Sequence, residues 1–188
     1  MPATQQTLLG LLPDTLAKPA RKPAKRRSPR VTGAAVTTRA EHTASVDRFG
    51  RRTWTLQIPA PADWLSANGR THARNLAVVV KAWRDAARVY AIQAKLPKGL
   101  ARVHVLARCH FTMTRTRDAG NRYPTAKACI DGLIDYGLAD DDNDSFLVGP
   151  DMRSGPNVDR KEYPGGGLLV LTITELRAED EDTEVFAA

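Results

Sequence analysis

Hydrophobic and polar positions alternate over Thr53-Trp54-Thr55-Leu56-Gln57-Ile58, the period of a strand with one face buried. Pro59-Ala60-Pro61 ends it, because proline cannot donate to a sheet ladder. After a loop through Asn68-Gly69-Arg70 the period changes. Leu76, Val79, Val80, Trp83, Ala87, Tyr90 and Ala94 recur at spacings of three and four, which predicts an amphipathic helix over residues 74–95 with Trp83 in the core. Pro97-Lys98-Gly99 closes that helix. Residues 101–113 form a β-branched and aromatic run and read as a central strand. A second helix opens at Pro124-Thr125, where the missing proline N–H would have no intrahelical partner. It buries Ala126, Cys129, Ile130, Leu133 and Ile134, and Gly137 suits its C-cap. Strands are expected at Phe146-Leu147-Val148-Gly149 and, after Pro164-Gly165-Gly166-Gly167, at the closing LLVLTITEL. The expected fold is a single compact α/β domain in β-α-β-α-β-β order, with a mixed sheet and two helices.

Composition changes this picture mainly at the ends. The chain has 188 residues, 42% of them hydrophobic, and a net charge of +7. Residues 1–48, rich in Pro, Lys, Arg, Ser and Thr, read as a disordered basic arm. Residues 49–176 hold the domain, and 177–188 form an acidic tail. The positive charge suggests a polyanionic partner, although solubility alone also accounts for it. Nothing approaches the roughly 20 apolar residues of a membrane span, so no membrane partner is expected. Cys109 and Cys129 lie in apolar runs without metal-ligand spacing, as expected of buried free thiols in a reducing cytoplasm, that of a bacterium or of a phage-infected host.

Two acidic places bracket the second helix: Asp118 before it, and Asp140-Asp141-Asp142 after it. A helix over residues 125–136 is about 18 Å long, so the two places meet only if a loop folds back or a right-handed strand–helix–strand crossover brings the next strand alongside. Carboxylates gathered within a basic surface could hold Mg²⁺, which supplies the charge shielding and activated water that phosphodiester cleavage needs. A solvated acidic loop, with Asp118 as a turn residue, is the plain alternative. His104 and His110, six apart on one strand, read as ordinary strand histidines. No Gly-rich phosphate loop, nucleophile elbow or dinucleotide fingerprint is present.

The stretch Arg117-Asp118-x-x-Asn121, followed by Lys127-x-x-x-Asp131-Gly132, Gly137 and Asp141-Asp142, resembles the RusA family of Holliday junction resolvases, as more weakly do the 54–70 segment and the last strand. The resemblance implies a homodimeric α/β endonuclease that makes paired nicks in four-way DNA junctions with Mg²⁺ or Mn²⁺. By position, it implies catalytic roles for Asp118, Lys127 and Asp142. It also implies metal ligation by Asp118 and Asp142, with Asp141 or Asp131 as a third ligand. Phosphate contacts are expected from Arg70, Arg74, Arg115, Arg117, Asn121 and Arg122, with His72 beside them, and base stacking from Trp64 or Tyr123. Gly120 stands where the family has a second loop aspartate, and the 121–127 spacing is longer than the family's. An inactive branched-DNA-binding protein and a basic RNA-associated protein are the alternatives.

Overall fold

The computed structural model describes residues 42–69, 73–113, 118–177 and 180. The expected strand at 53–58 is β2 (Arg52–Pro59), and its alternation buries Trp54, Leu56 and Ile58 on one face. The run of β-branched residues becomes β3 (Val103–Phe111), with Val103, Val105, Ala107 and Cys109 fully buried. The closing apolar run is β5 (Gly167–Glu175), burying Leu169, Leu171 and Ile173. A fourth strand, β4 (Leu147–Ser154), begins near the expected place and runs on for longer.

One strand was not expected. β1 (His42–Val46) falls inside the stretch read as a basic arm and pairs antiparallel with β2, from His42 opposite Leu56 to Val46 opposite Arg52. Its five residues are too few to show a period against a polar background. Asp47 closes the hairpin, its carboxylate accepting from the Phe49 and Arg51 backbone N–H groups. Residues 1–41 of the expected arm, and 178–179 and 181–188 of the expected tail, lie outside the described residues.

The five strands form one mixed sheet in the order β1-β2-β5-β3-β4. β5 is inserted between β2 and β3 and runs antiparallel to both, while β3 and β4 are parallel. A parallel pair needs a crossover, and it is supplied by α2 (Tyr123–Tyr136). That helix has proline in its first turn, and Gly137 caps it in the left-handed conformation at φ 93°. α1 (Ala73–Ala94) connects β2 to β3 and buries Val79, Trp83, Ala87, Tyr90, Ala91 and Ala94. Leu76, in the first turn of α1, lies on the same stripe yet is 42% exposed.

The two helices and the inner faces of β2, β3 and β5 share a single apolar core. The helices approach closely at Gly132, where even a methyl group would meet the Arg84 carbonyl. Arg84 and Asp135 clamp the outside of this crossing with a bidentate pair, one bond being 2.7 Å. No described helix is long and apolar enough to cross a membrane.

Candidate functional site

The loop after α2 does fold back. Lys127, in the second turn of α2, donates to Asp131 Oδ1 at 2.6 Å and also to Asp142 Oδ2. Lys127, Asp131 and Asp142 therefore form one cluster, with the ammonium between two carboxylates. All three side chains are partly open to solvent, so each ion pair on its own adds little stability. Asp141 turns inward to its own loop, accepting from Asp142 N at 2.7 Å and from Asn143 Nδ2 at 2.9 Å.

Asp118 has a different setting. Its Oδ1 accepts from Gly120 N at 2.8 Å and its Oδ2 from Asn121 Nδ2 at 3.1 Å. Asn121 in turn accepts from Asn68 Nδ2 through its side chain and from Ala67 N through its carbonyl. Asp118 and Asn121 thus buckle the start of α2 to the loop after β2, as turn residues do. Among the described residues, no three His, Cys, Asp or Glu side chains are grouped so as to hold a metal ion.

The expected phosphate contacts are scattered. Arg70, His72, Arg115 and Arg117 lie outside the described residues. Arg74 is exposed in the first turn of α1. Arg122 is turned inward: its Nη1 donates to Leu65 O at 3.2 Å and its guanidinium lies 5.9 Å from the Phe111 ring centroid. The histidines are strand residues with local partners, His104 with Asp151 at 3.0 Å and His110 with Pro156 O at 2.9 Å. Cys109 and Cys129 are free and buried. Burial pushes the Cys109 thiol up to about 12 and the Cys129 thiol higher still, so neither is a thiolate at neutral pH.

The structure also holds a cleft that the sequence did not reveal. It has a volume of about 360 Å³ and opens where four segments converge. Asp63 and Trp64 come from the loop after β2, Phe111 to Met113 from the end of β3, Arg122 from the short 3-10 turn before α2, and Arg160 with Pro164 to Gly166 from the loop before β5. Its aromatic floor is set from below. Trp83 Nε1 donates to Asp63 O at 3.1 Å, and the Trp64 ring lies 5.1 Å from Trp83 and 4.9 Å from Phe111. Trp64 Nε1 reaches across to Gly166 O at 3.4 Å. Trp64, expected to stack on a base, is half-buried against Trp83 and Phe111, with part of its surface lining the cleft.

The glycine run is a wall of this cleft as well as a turn. At Gly167 a Cβ would lie 2.2 Å from His110 O, so only glycine permits this backbone approach. Trp64 and Gly165 are 101 residues apart in sequence, and the antiparallel pairing of Pro59 with Leu168 brings their loops together. The signals available in the sequence were a tryptophan just after the Pro-rich turn and three consecutive glycines. Nothing in either says that they face each other.

No family model matches this chain, and no curated protein does. Among solved structures, it is similar to the periplasmic domain of MotB (residues 64–256), with 16% identity over 93% of this chain and 92% of that one, at a TM-score of 0.37. A Helicobacter pylori MotB periplasmic domain (residues 90–256) gives 19% identity over 73% and 89%, at 0.36. The OmpA-like domain of FopA1 from Francisella tularensis subsp. tularensis SCHU S4 gives 11% over 84% and 94%, at 0.30.

The family expectation is corrected accordingly. The structures found are periplasmic and OmpA-like domains and not nucleases, and no match links the chain to the RusA resolvases. The readings as a junction endonuclease, as an inactive branched-DNA binder and as an RNA-associated protein are withdrawn, together with four-way DNA and a homodimer as partners. The physical counterpart is local. A lysine fills the space between Asp131 and Asp142, and Asp118 is engaged by its own turn.

Proposed function

We propose that this chain is a ligand-binding module and that its site is the cleft lined by Trp64, Phe111, Arg122, Arg160 and Gly166. The observation that carries this reading is the cavity of about 360 Å³ at the meeting of four loops and strand ends. Small-molecule sites are concave and mostly preformed, and this cleft sets the apolar Trp64, Phe111, Met113 and Pro164 beside the charged Asp63, Arg122 and Arg160. Its floor is held by the tryptophan pair and by Arg122 on Leu65 O, so little ordering has to accompany binding.

A small-molecule library screened by NMR against the full chain tests the reading. Hits are expected to move the amide signals of Asp63, Trp64, Phe111 to Met113 and Gly165 to Gly166 together. Met113, 52% exposed at the rim, offers a block: Met113→Trp should weaken those hits about tenfold or more, a loss of roughly 1.4 kcal/mol. Hits that map elsewhere, or their absence, would sink the proposal.

Mg²⁺ is retained as a proposal on a narrower set of ligands. Asp131 and Asp142 converge on one cation position, which is occupied by Lys127 Nζ. Mg²⁺ is commonly held by one or two carboxylates with waters completing the octahedron, so two suffice if the lysine swings out. Millimolar Mg²⁺ or Mn²⁺ should then raise the melting temperature of the wild type and leave Asp142→Asn unmoved. A wild type indifferent to both ions refutes it. The buried free thiols support a reducing compartment, such as the cytoplasm, as the place of action.

A further inference from the structure

We infer that the ligand taken by the cleft is a flat ring carrying an anionic group, which rests on the reading of the cleft as the binding site. The charge of the lining points to the anion: among the described residues it carries two arginines, Arg122 and Arg160, and one carboxylate, Asp63, a balance of +1. The arginines divide the task by depth. Arg122 is fixed against Leu65 O and the Phe111 ring, so its guanidinium is oriented before any ligand arrives. Arg160 is exposed at the mouth, where it can meet a charge that keeps part of its water. A planar guanidinium suits a carboxylate or a phosphate, since each offers two oxygens to its fork.

The shape points to the ring. Gly165 and Gly166 present bare backbone, and the Gly166 carbonyl is tied to the edge of the Trp64 indole. Nothing lies within 4 Å of the place a Gly166 side chain would occupy, although its φ of +105° keeps the position to glycine. Trp64, Met113 and Pro164 supply apolar surface around this bare wall. The aromatic faces of Trp64 and Phe111 lie in the lining with Met113 and Pro164, and such a lining suits a flat apolar ring better than a branched body. An aromatic carboxylate and a nucleoside monophosphate share this chemistry.

The test pairs each anion with its neutral counterpart, using the full chain and calorimetry. The probes are 2-naphthoate against 2-naphthalenemethanol, and adenosine monophosphate against adenosine, with inorganic phosphate alone as a fifth. At least one anion is expected to bind about tenfold more tightly than its partner, and phosphate alone not measurably; tenfold corresponds to roughly 1.4 kcal/mol. Which pair shows the difference identifies the source. Arg160→Glu should abolish the difference, and Arg160→Lys should keep part of it. Arg153→Glu, the same charge change at an exposed position outside the cleft, should leave it intact. Equal binding of charged and neutral rings overturns this inference but leaves the cleft as the site. Binding of phosphate as tight as that of the nucleotide removes the ring from the argument and also overturns it. If no probe binds while library hits still map to the cleft, the ligand class is wrong and the site stands. If no library hit maps there either, both fall.

Discussion

Trp83→Ala is expected to lower the stability of this protein by about 4 kcal/mol, the middle of the range for emptying a buried tryptophan site. Trp83 is completely buried in the α1 stripe and is one of the largest side chains in the core. Its removal deletes apolar contact and leaves a void that close-packed neighbours refill only in part. The indole also donates to Asp63 O, and its ring supports Trp64, so the cleft should lose its floor in the same variant. Urea denaturation measures the first effect as a fall in midpoint at unchanged slope. Trp83→Phe separates the two roles. It keeps a ring beneath Trp64 and loses only the N–H, at a cost of about 1 kcal/mol for the bond plus the difference in ring size. A loss below about 1 kcal/mol in Trp83→Ala would mean that α1 does not pack as described.

Gly132→Ala is the second large effect, and its sign has to be argued. Alanine is the better helix former by about 1 kcal/mol, and Gly132 lies inside α2. Against that, the added Cβ would lie 2.2 Å from Arg84 O and 3.0 Å from Arg84 C, with the Ala87 Cβ at 3.1 Å. The first two are backbone atoms of α1, so no side-chain rotation relieves the contact and the helices have to move apart. Overpacking of this kind costs about 1–3 kcal/mol and occasionally more, and a direct backbone collision belongs at the upper end. A net loss of about 2 kcal/mol is expected, seen as a fall in melting temperature of about 4–8 °C for a chain of this size. A rise in melting temperature would show that propensity outweighs packing and that the crossing is looser than described. Gly132→Leu adds three more carbons at the same place and should prevent folding.

The elements were legible wherever a period persisted. The three- and four-residue spacing from Val79 to Ala94 outlined α1, and Pro124 with Gly137 marked both ends of α2, because helix termini have chemical requirements that single residues meet. β1 was not legible, since five residues in a polar stretch show no period and the strand exists only through its pairing with β2. The four-residue spacing of Lys127 and Asp131 puts both on one face of α2, so their ion pair follows from helix geometry alone. The approach of Asp142 to the same lysine did not follow, because it depends on the path of a loop. Asp118 shows the reverse. Its resemblance to a metal ligand came from neighbours in sequence, while its actual partners, Gly120 and Asn121, are those of a turn.

By itself the sequence determined the α/β class, both helices, most of the strands, the buried tryptophan and the buried thiols. All of these depend on interactions between residues close along the chain, or on the simple partition of apolar groups away from water. The tertiary structure decided the insertion of β5 between β2 and β3, and with it the meeting of Trp64, Phe111, Arg122 and the glycine loop in one cleft. Strand order is set by non-local pairing, for which many partners satisfy the same alternation. The observed order is the one in which α1, α2 and the inner faces of β2, β3 and β5 share one core.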